Sequence, residues 1–246
     1  MRFFIKISYK GTNYHGWQVQ PNSNTVQEEI NKALSIICND NIKVVGAGRT
    51  DAGVHARQMF AHFDYNFSFN IEDMIYKLNS LLSSDIAVHD IFQVKDDANC
   101  RFDAISRTYQ YRIIKRKDPF NSTAYFFQKD LDLDAMNNAC KHIIGKQDYT
   151  SFSKLNTQVF TNNCNVIFAK WEEINDEIIF TIKANRFLRN MVRAIVGTLL
   201  DVGVYKITSD DVLNIIAEKD RSKSGRSVPA NALFLIEVEY LSEIRI

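Results

Sequence analysis

The order of hydrophobic periods along this chain constrains its fold more than any other feature: strand, helix, strand, strand, helix, strand, met twice. Phe3, Ile5, Ile7 and Tyr9 alternate with Arg2, Lys6 and Ser8, the two-residue period of a half-buried strand. Val26, Ile30, Ala33, Leu34 and Ile37 recur at helical spacing, and Thr25 with Glu28 forms a capping-box signature at the start of that helix. Ile42–Val45 predicts a short strand, 46–53 a glycine-punctuated loop, and Met59, Ala61, Phe63 and Tyr65 another strand. Ile71, Met74, Ile75, Leu78 and Leu82 make a second helix, and Ile86–Val94 closes the first set. In the second set, Ile105, Arg107, Tyr109, Tyr111 and Ile113 lie on one face of a long strand. A helix carries Met136, Ala139, Cys140, Ile143 and Ile144, with Gly145 as its stop. Val166–Ile174 and Ile178–Ala184 pair around an Asn175-Asp176 turn; a helix from about Arg186 to Asp201, a short one from Ser209 and a strand over Ala232–Tyr240 follow. This order predicts an α+β fold of two fused ferredoxin-like (β-α-β-β-α-β, RRM-like) halves, residues 1–98 and 99–246. Their antiparallel sheets would carry helices on one face, and their free faces would meet in a central cleft, as the sheet of an RRM meets RNA.

Composition narrows the function. Hydrophobic residues make up 46% and charged residues 24% of the 246, so the chain has a core to bury and is not a disordered tail. The net charge of +1 excludes a globally basic nucleic-acid binder, yet residues 1–100 hold 9 basic and 11 acidic residues while the remainder holds 21 and 18. A basic face therefore stays open. Cys38, Cys100, Cys140 and Cys164 form no C-x-x-C pair, so neither a metal site nor a disulfide framework is expected and a cytoplasmic location is. The N-terminal residues carry charges where a signal peptide needs an apolar run. The longest apolar stretch, Met191 to Val204, is interrupted by Arg193 and Asp201 and predicts no membrane span.

Three constellations carry chemistry. The first is the loop Gly46-Ala47-Gly48-Arg49-Thr50-Asp51-Ala52-Gly53-Val54-His55, whose glycines imply positive φ or close backbone approach. It presents Arg49, Thr50, Asp51 and His55, and lacks the G-K-[ST] of a phosphate loop. On spacing alone it reads equally as a tight turn with a surface Arg–Asp pair. The second is the helix predicted from Arg186: at 100° per residue Arg186, Arg189, Asn190 and Arg193 fall on one stripe opposite Leu188, Met191, Val192, Ile195 and Leu199. Such a ridge can hold phosphates or a carboxylate, or be a solvated helix face. The third is the strand Arg107–Ile113, where Arg107, Tyr109 and Tyr111 share a face suited to base stacking beside phosphate contact. The basic loop Arg221–Arg226 reads as mobile or as a phosphate contact, and His62 and His89 as structural or surface residues.

Together these segments resemble the tRNA pseudouridine synthase A family along nearly the whole chain. The matching pieces are Tyr14-His15-Gly16-Trp17-Gln18, Thr25-Val26-Gln27, Ala47 to His55, Arg101-Phe102, Arg107-Thr108-Tyr109-Gln110-Tyr111, Thr150-Ser151-Phe152 and Phe187 to Arg193. Two positions depart from the family pattern: Ala232-Leu233 stands where Gly-Leu is usual, and Thr108 where a basic residue is common. The resemblance implies isomerisation of uridine to pseudouridine at tRNA positions 38, 39 and 40 in the anticodon stem-loop, without cofactor or metal, by a homodimer that needs no membrane. It implies Asp51 as the nucleophile or base, kept charged by an arginine, Arg193 first and Arg49 second. Tyr109 would stack on the flipped uracil and take the C5 proton, with Leu233 against the base. Arg49 and His55 would fill the space left by flipping or hold the backbone. Arg101, Ser151, Phe152, Ser153, Lys154 and Leu155 match positions that contact tRNA, and Arg189 would make a phosphate contact.

Two other classes compete with this reading. A non-catalytic RNA-binding protein with two RRM-like halves would keep the aromatic and basic features, but no RNP1 octapeptide is present. A glycosidase needs two carboxylates across a sugar, and the candidate loop has only Asp51.

Overall fold

The computed structural model describes residues 1–154 and 160–246. In chain order the elements are β1 (Arg2–Tyr9), α1 (Val26–Cys38), β2 (Val45–Gly46), β3 (His55–Asp64), α2 (Ile71–Leu81), β4 (Ile86–Val94), β5 (Ser106–Ile114), β6 (Tyr125–Phe126), α3 (Leu133–Ile143), β7 (Gly145–Asp148), β8 (Asn163–Ile174), β9 (Glu177–Ala184), α4 (Met191–Gly203), α5 (Asp211–Glu218) and β10 (Leu233–Glu239). The fold is α+β. Two compact units divide it: Met1–Ile105 with Phe234–Ile246, and Ser106–Leu233.

In the first unit β1 is central, antiparallel to β4 on one side and to β3 on the other. β3 also pairs with the two residues of β2, and in parallel with β10 through Phe234 and Leu235. The expected face of β1, Phe3, Ile5, Ile7 and Tyr9, is buried, and Phe4 on the opposite face is fully buried as well, so this strand is covered on both sides at its start. Helices α1 and α2 lay Val26, Ile30 and Leu34, and Met74 and Leu78, into the core.

Two local expectations fail in this unit. Strand β2 is shorter than the predicted Ile42–Val45, because side chains of α1 take the backbone groups a ladder would use. Asn31 Oδ1 accepts from Val44 N (2.8 Å), Ser35 Oγ from Ile42 N (3.0 Å), and Gln27 Nε2 donates to Val44 O (2.7 Å). The capping box does not form either. Thr25 is fully buried, its Oγ1 has no hydrogen-bond partner, and Glu28 turns instead to Lys32 at 3.2 Å.

His62, in β3, is buried. Its Nδ1 accepts from Cys100 N (3.3 Å) and lies 3.2 Å from Cys100 Sγ, which donates to Val45 O (2.9 Å). Protonation would set a donor against a donor. Burial, helped by Arg2, holds the imidazole below its ordinary pKa. The unfolded chain therefore binds a proton that the folded chain refuses. Stability is full above the ordinary value of 6.5 and is lost as pH falls below it. Urea midpoints measured on either side of that value are expected to fall toward acid in the parent and to fall less in His62→Gln. An equal acid loss in both proteins would show that the charge is taken up elsewhere.

The second unit is built on β5, β9, β8 and β7, each antiparallel to the next, with β6 parallel on the other edge of β5. The β8–β9 hairpin turns at Asn175 and Asp176, with φ of 50° and 65°, the left-handed pair that a two-residue turn requires. Helix α4 is apolar nearly all round and accordingly buried, Met191, Ala194, Ile195, Val196 and Leu199 completely. Among the described residues no helix is long and apolar enough to cross a membrane.

Candidate functional site

In the first unit the site is the loop between β2 and β3, and the segment after β1 shapes it. Gly16 has φ +91° and lies so close that an added Cβ would sit 2.5 Å from Thr50 O. Trp17 N donates to that oxygen (3.2 Å), and Gly53 N returns to Tyr14 O (3.3 Å). The Trp17 ring, 2% exposed, fills the space beside Gly46, where a Cβ would meet it at 2.4 Å. Buried Tyr9 OH and Thr50 Oγ1 hydrogen-bond at 2.8 Å. At the crest, half-buried Asp51 folds the loop on itself by accepting Val54 N at its carbonyl (3.1 Å). Backbone and aromatic contacts on both flanks thus hold the carboxylate's peptide in place before any ligand arrives. Arg49 beside it is exposed.

His55 is not a loop residue. It opens β3, is 1% exposed, accepts Gly11 N at Nδ1 (3.0 Å) and stacks on Phe234 with centroids 4.7 Å apart. Its position anchors the loop's exit. Arg101 is exposed, its guanidinium 5.5 Å from the ring of Phe102, itself 75% exposed.

In the second unit Tyr109 is half-buried in β5, its ring edge-on to Phe187 at 5.2 Å. Tyr111 does not share its availability. It is fully buried, its hydroxyl donates to Pro229 O (3.0 Å), and it cannot stack on a ligand. Leu233, at the start of β10, is also buried.

The arginine ridge is not a helical stripe. Asn190 takes the left-handed conformation (φ 67°) that no right-handed helix contains, so α4 begins only at Met191. Arg186 and Arg189 lie in the non-helical lead-in, where Arg189 O accepts Lys154 N (3.0 Å), and the 3.6-residue spacing does not relate them to Arg193. Arg193 is within the helix and half-buried, its Nε donating to Val228 O at 2.8 Å. Arg189 is exposed.

Residues 151–154 divide in the same way. Ser151 is fully buried and donates to Ile215 O (2.5 Å), Phe152 is fully buried, and buried Ser153 donates to Lys154 O (3.2 Å). Only the exposed Lys154 side chain of these four is open to a ligand, and Leu155 lies outside the described residues. What periodicity did not single out is support: Gly16 and Trp17 beside the loop, the hydroxyl of Tyr9 on Thr50, which alternation placed only as a strand residue, and the segment 221–229 beside Arg193. Buried aromatics and backbone contacts have no signature of their own in a single sequence.

A family model described as tRNA pseudouridine synthase matches residues 5–103 and 139–241. Proteins named tRNA pseudouridine synthase A align with nearly all of the chain. That of Parabacteroides distasonis is 52% identical over 247 residues, covering 99% of this chain and 97% of its own. That of Bacteroides thetaiotaomicron is 50% identical, covering 99% and 92%, and that of Bacillus subtilis 40% identical, covering 98% and 99%.

Proposed function

The chain belongs to the tRNA pseudouridine synthase family, and on that premise we propose that it isomerises uridine at positions 38, 39 and 40 of tRNA anticodon stem-loops through Asp51. The observation that carries this reading is the loop itself: a half-buried carboxylate on a peptide held by Tyr9, Tyr14 and Trp17. The isomerisation breaks C1′–N1, turns the uracil and joins C1′ to C5; N1 gains a proton and C5 loses one. Reactant and product have the same atoms and electrons, so the balance calls for no cofactor. Asp51 serves as nucleophile on sugar or base, or as the base that begins glycal formation. A target within a stem must leave the stack first.

Tyr109 takes the roles of stacking platform and acceptor of the C5 proton, Leu233 that of the opposing apolar surface, and Arg193 that of the cation that favours a charged carboxylate. Arg49, Arg101, Lys154 and Arg189, all exposed, suit phosphate contact. His55, Ser151, Phe152 and Ser153 act through the backbone they hold. We read the halves 1–98 and 99–246 as ferredoxin-like variants, the first bringing the carboxylate, the second the stacking strand and Arg193. The family resemblance supports a homodimer in which one tRNA touches both subunits, and a tRNA substrate supports a cytoplasmic location.

The experiment uses tRNA tritiated at uracil C5. Release of label to water, in chelator and without added cofactor, is the expected result. Release only after metal is restored would overturn the cofactor-free reading. Tight tRNA binding with no release would turn the assignment to a non-catalytic RNA-binding protein.

A further inference from the structure

The basic loop Arg221–Arg226 is built into the second unit as a clamp. Arg221 spends its fork internally: Nη1 donates to Ser224 Oγ (2.8 Å) and Gly225 O (3.1 Å), and Nη2 to Ser227 Oγ (2.9 Å). Ser224 Oγ donates onward to Ser151 O (2.6 Å), and Gly225 N to Thr198 Oγ1 inside α4 (2.8 Å). Gly197 leaves no room between that helix and the loop, since a Cβ there would meet Arg226 O at 1.8 Å. Ser227 Oγ also accepts Asn190 Nδ2 (2.6 Å), from the left-handed residue that starts α4. The next two residues reach the site. Val228 is bonded to Arg193 twice, its O accepting Arg193 Nε (2.8 Å) and its N donating to Arg193 O (3.3 Å). Pro229 O accepts Tyr111 OH from β5, two residues from Tyr109, and the segment then runs into Leu233.

We propose that Arg221 is a positioning residue for uridine isomerisation: through Ser227 it fixes the 227–229 segment, which sets the direction of the Arg193 guanidinium. Three observations separate this from a phosphate contact or a general brace. Among the described residues Arg221's hydrogen-bond partners are all neutral oxygens, so a half-buried guanidinium gives up part of its water for partners that return no charge, a costly arrangement for mere packing. Burial accordingly lowers its pKa. The clamp also ends on Arg193 by two bonds, one of them to the side chain at Nε. With Nε held, the guanidinium has one orientation rather than several, and an aimed donor costs no reorganisation when charge develops.

The inference rests on the role given to Arg193 above. Its test compares Arg221→Ala, the milder Ser227→Ala, and Val212→Ala, which hollows the core under α5 and removes none of the clamp's hydrogen bonds. Arg221→Ala is expected to bind tRNA with KM within about threefold while kcat drops about tenfold to a hundredfold, the scale on which small misplacements act. Ser227→Ala should follow the same direction, and it carries the test should Arg221→Ala not fold. Val212→Ala, with a Tm loss at least as large, should keep parental kcat. In an Arg193→Lys background, Arg221→Ala should cost little more, because both changes act on one guanidinium. Additive losses, an equal kcat loss in Val212→Ala, or a raised KM with a shallower salt dependence would overturn the proposal. Parental kcat in both clamp variants beside an impaired Arg193→Lys would remove the clamp alone. Parental kcat in Arg193→Lys would remove the role of Arg193 and the clamp with it.

Discussion

Asp51→Asn will bind tRNA within about tenfold of the parent, an affinity change below ~1.4 kcal/mol, and form no detectable pseudouridine. The amide matches the carboxylate in size and keeps a hydrogen-bonding oxygen, but it has neither the charge to attack carbon nor the basicity to take a proton. The loop should survive the change, because what shapes it is elsewhere: Trp17 N and Tyr9 OH on Thr50, and Gly53 N on Tyr14 O. Filter binding and tritium release on one preparation, freed of host enzyme, separate the two effects. Substantial residual turnover would move catalysis to another group. A collapse of tRNA affinity would make Asp51 a binding residue instead.

The second large effect is expected at Tyr109, where stacking and proton transfer can be separated. Tyr109→Phe keeps the ring and so the stacking energy, about 1–3 kcal/mol per base. It removes only the hydroxyl, and with it the proposed acceptor for the C5 proton. Positioned general bases contribute about 10²–10⁴-fold, so kcat should fall by at least about a hundredfold at unchanged tRNA affinity. The variant should accumulate a species with C1′–N1 already broken, and C5-deuterated substrate should show a primary isotope effect. Tyr109→Leu should also lose the flipped base. The edge-on packing of Phe187 against the ring is open to tyrosine and phenylalanine alike. Wild-type turnover in Tyr109→Phe would leave the residue a platform and nothing more.

Much of this protein is legible in its residues because much of it is local. Alternation in β9 and over most of β1, and helical spacing in α2 and α3, report which side of an element meets the core, and the structure follows them. The Asn175-Asp176 hairpin is legible for the same reason: two residues that tolerate positive φ sit between two alternating runs. The candidate carboxylate is legible as well, since glycines and functional side chains are concentrated in ten consecutive positions, 46–55.

What the residues did not disclose was decided at long range. Periodicity continues α4 back through Arg186, but Asn190 is committed to Ser227, 37 positions away, and its left-handed backbone cuts the helix off at Met191. Tyr111 reads like Tyr109 along β5 until Pro229, 118 positions on, takes its hydroxyl and buries it. His55 belongs to the loop by sequence and to the core by its bond from Gly11 and its stack on Phe234. Arg221 reads as a surface cation and is an internal clamp. In each case a hydrogen-bonding group had several local uses open to it. Its partner was chosen by which distant segment the fold brings within about 3 Å, the reach of a hydrogen bond.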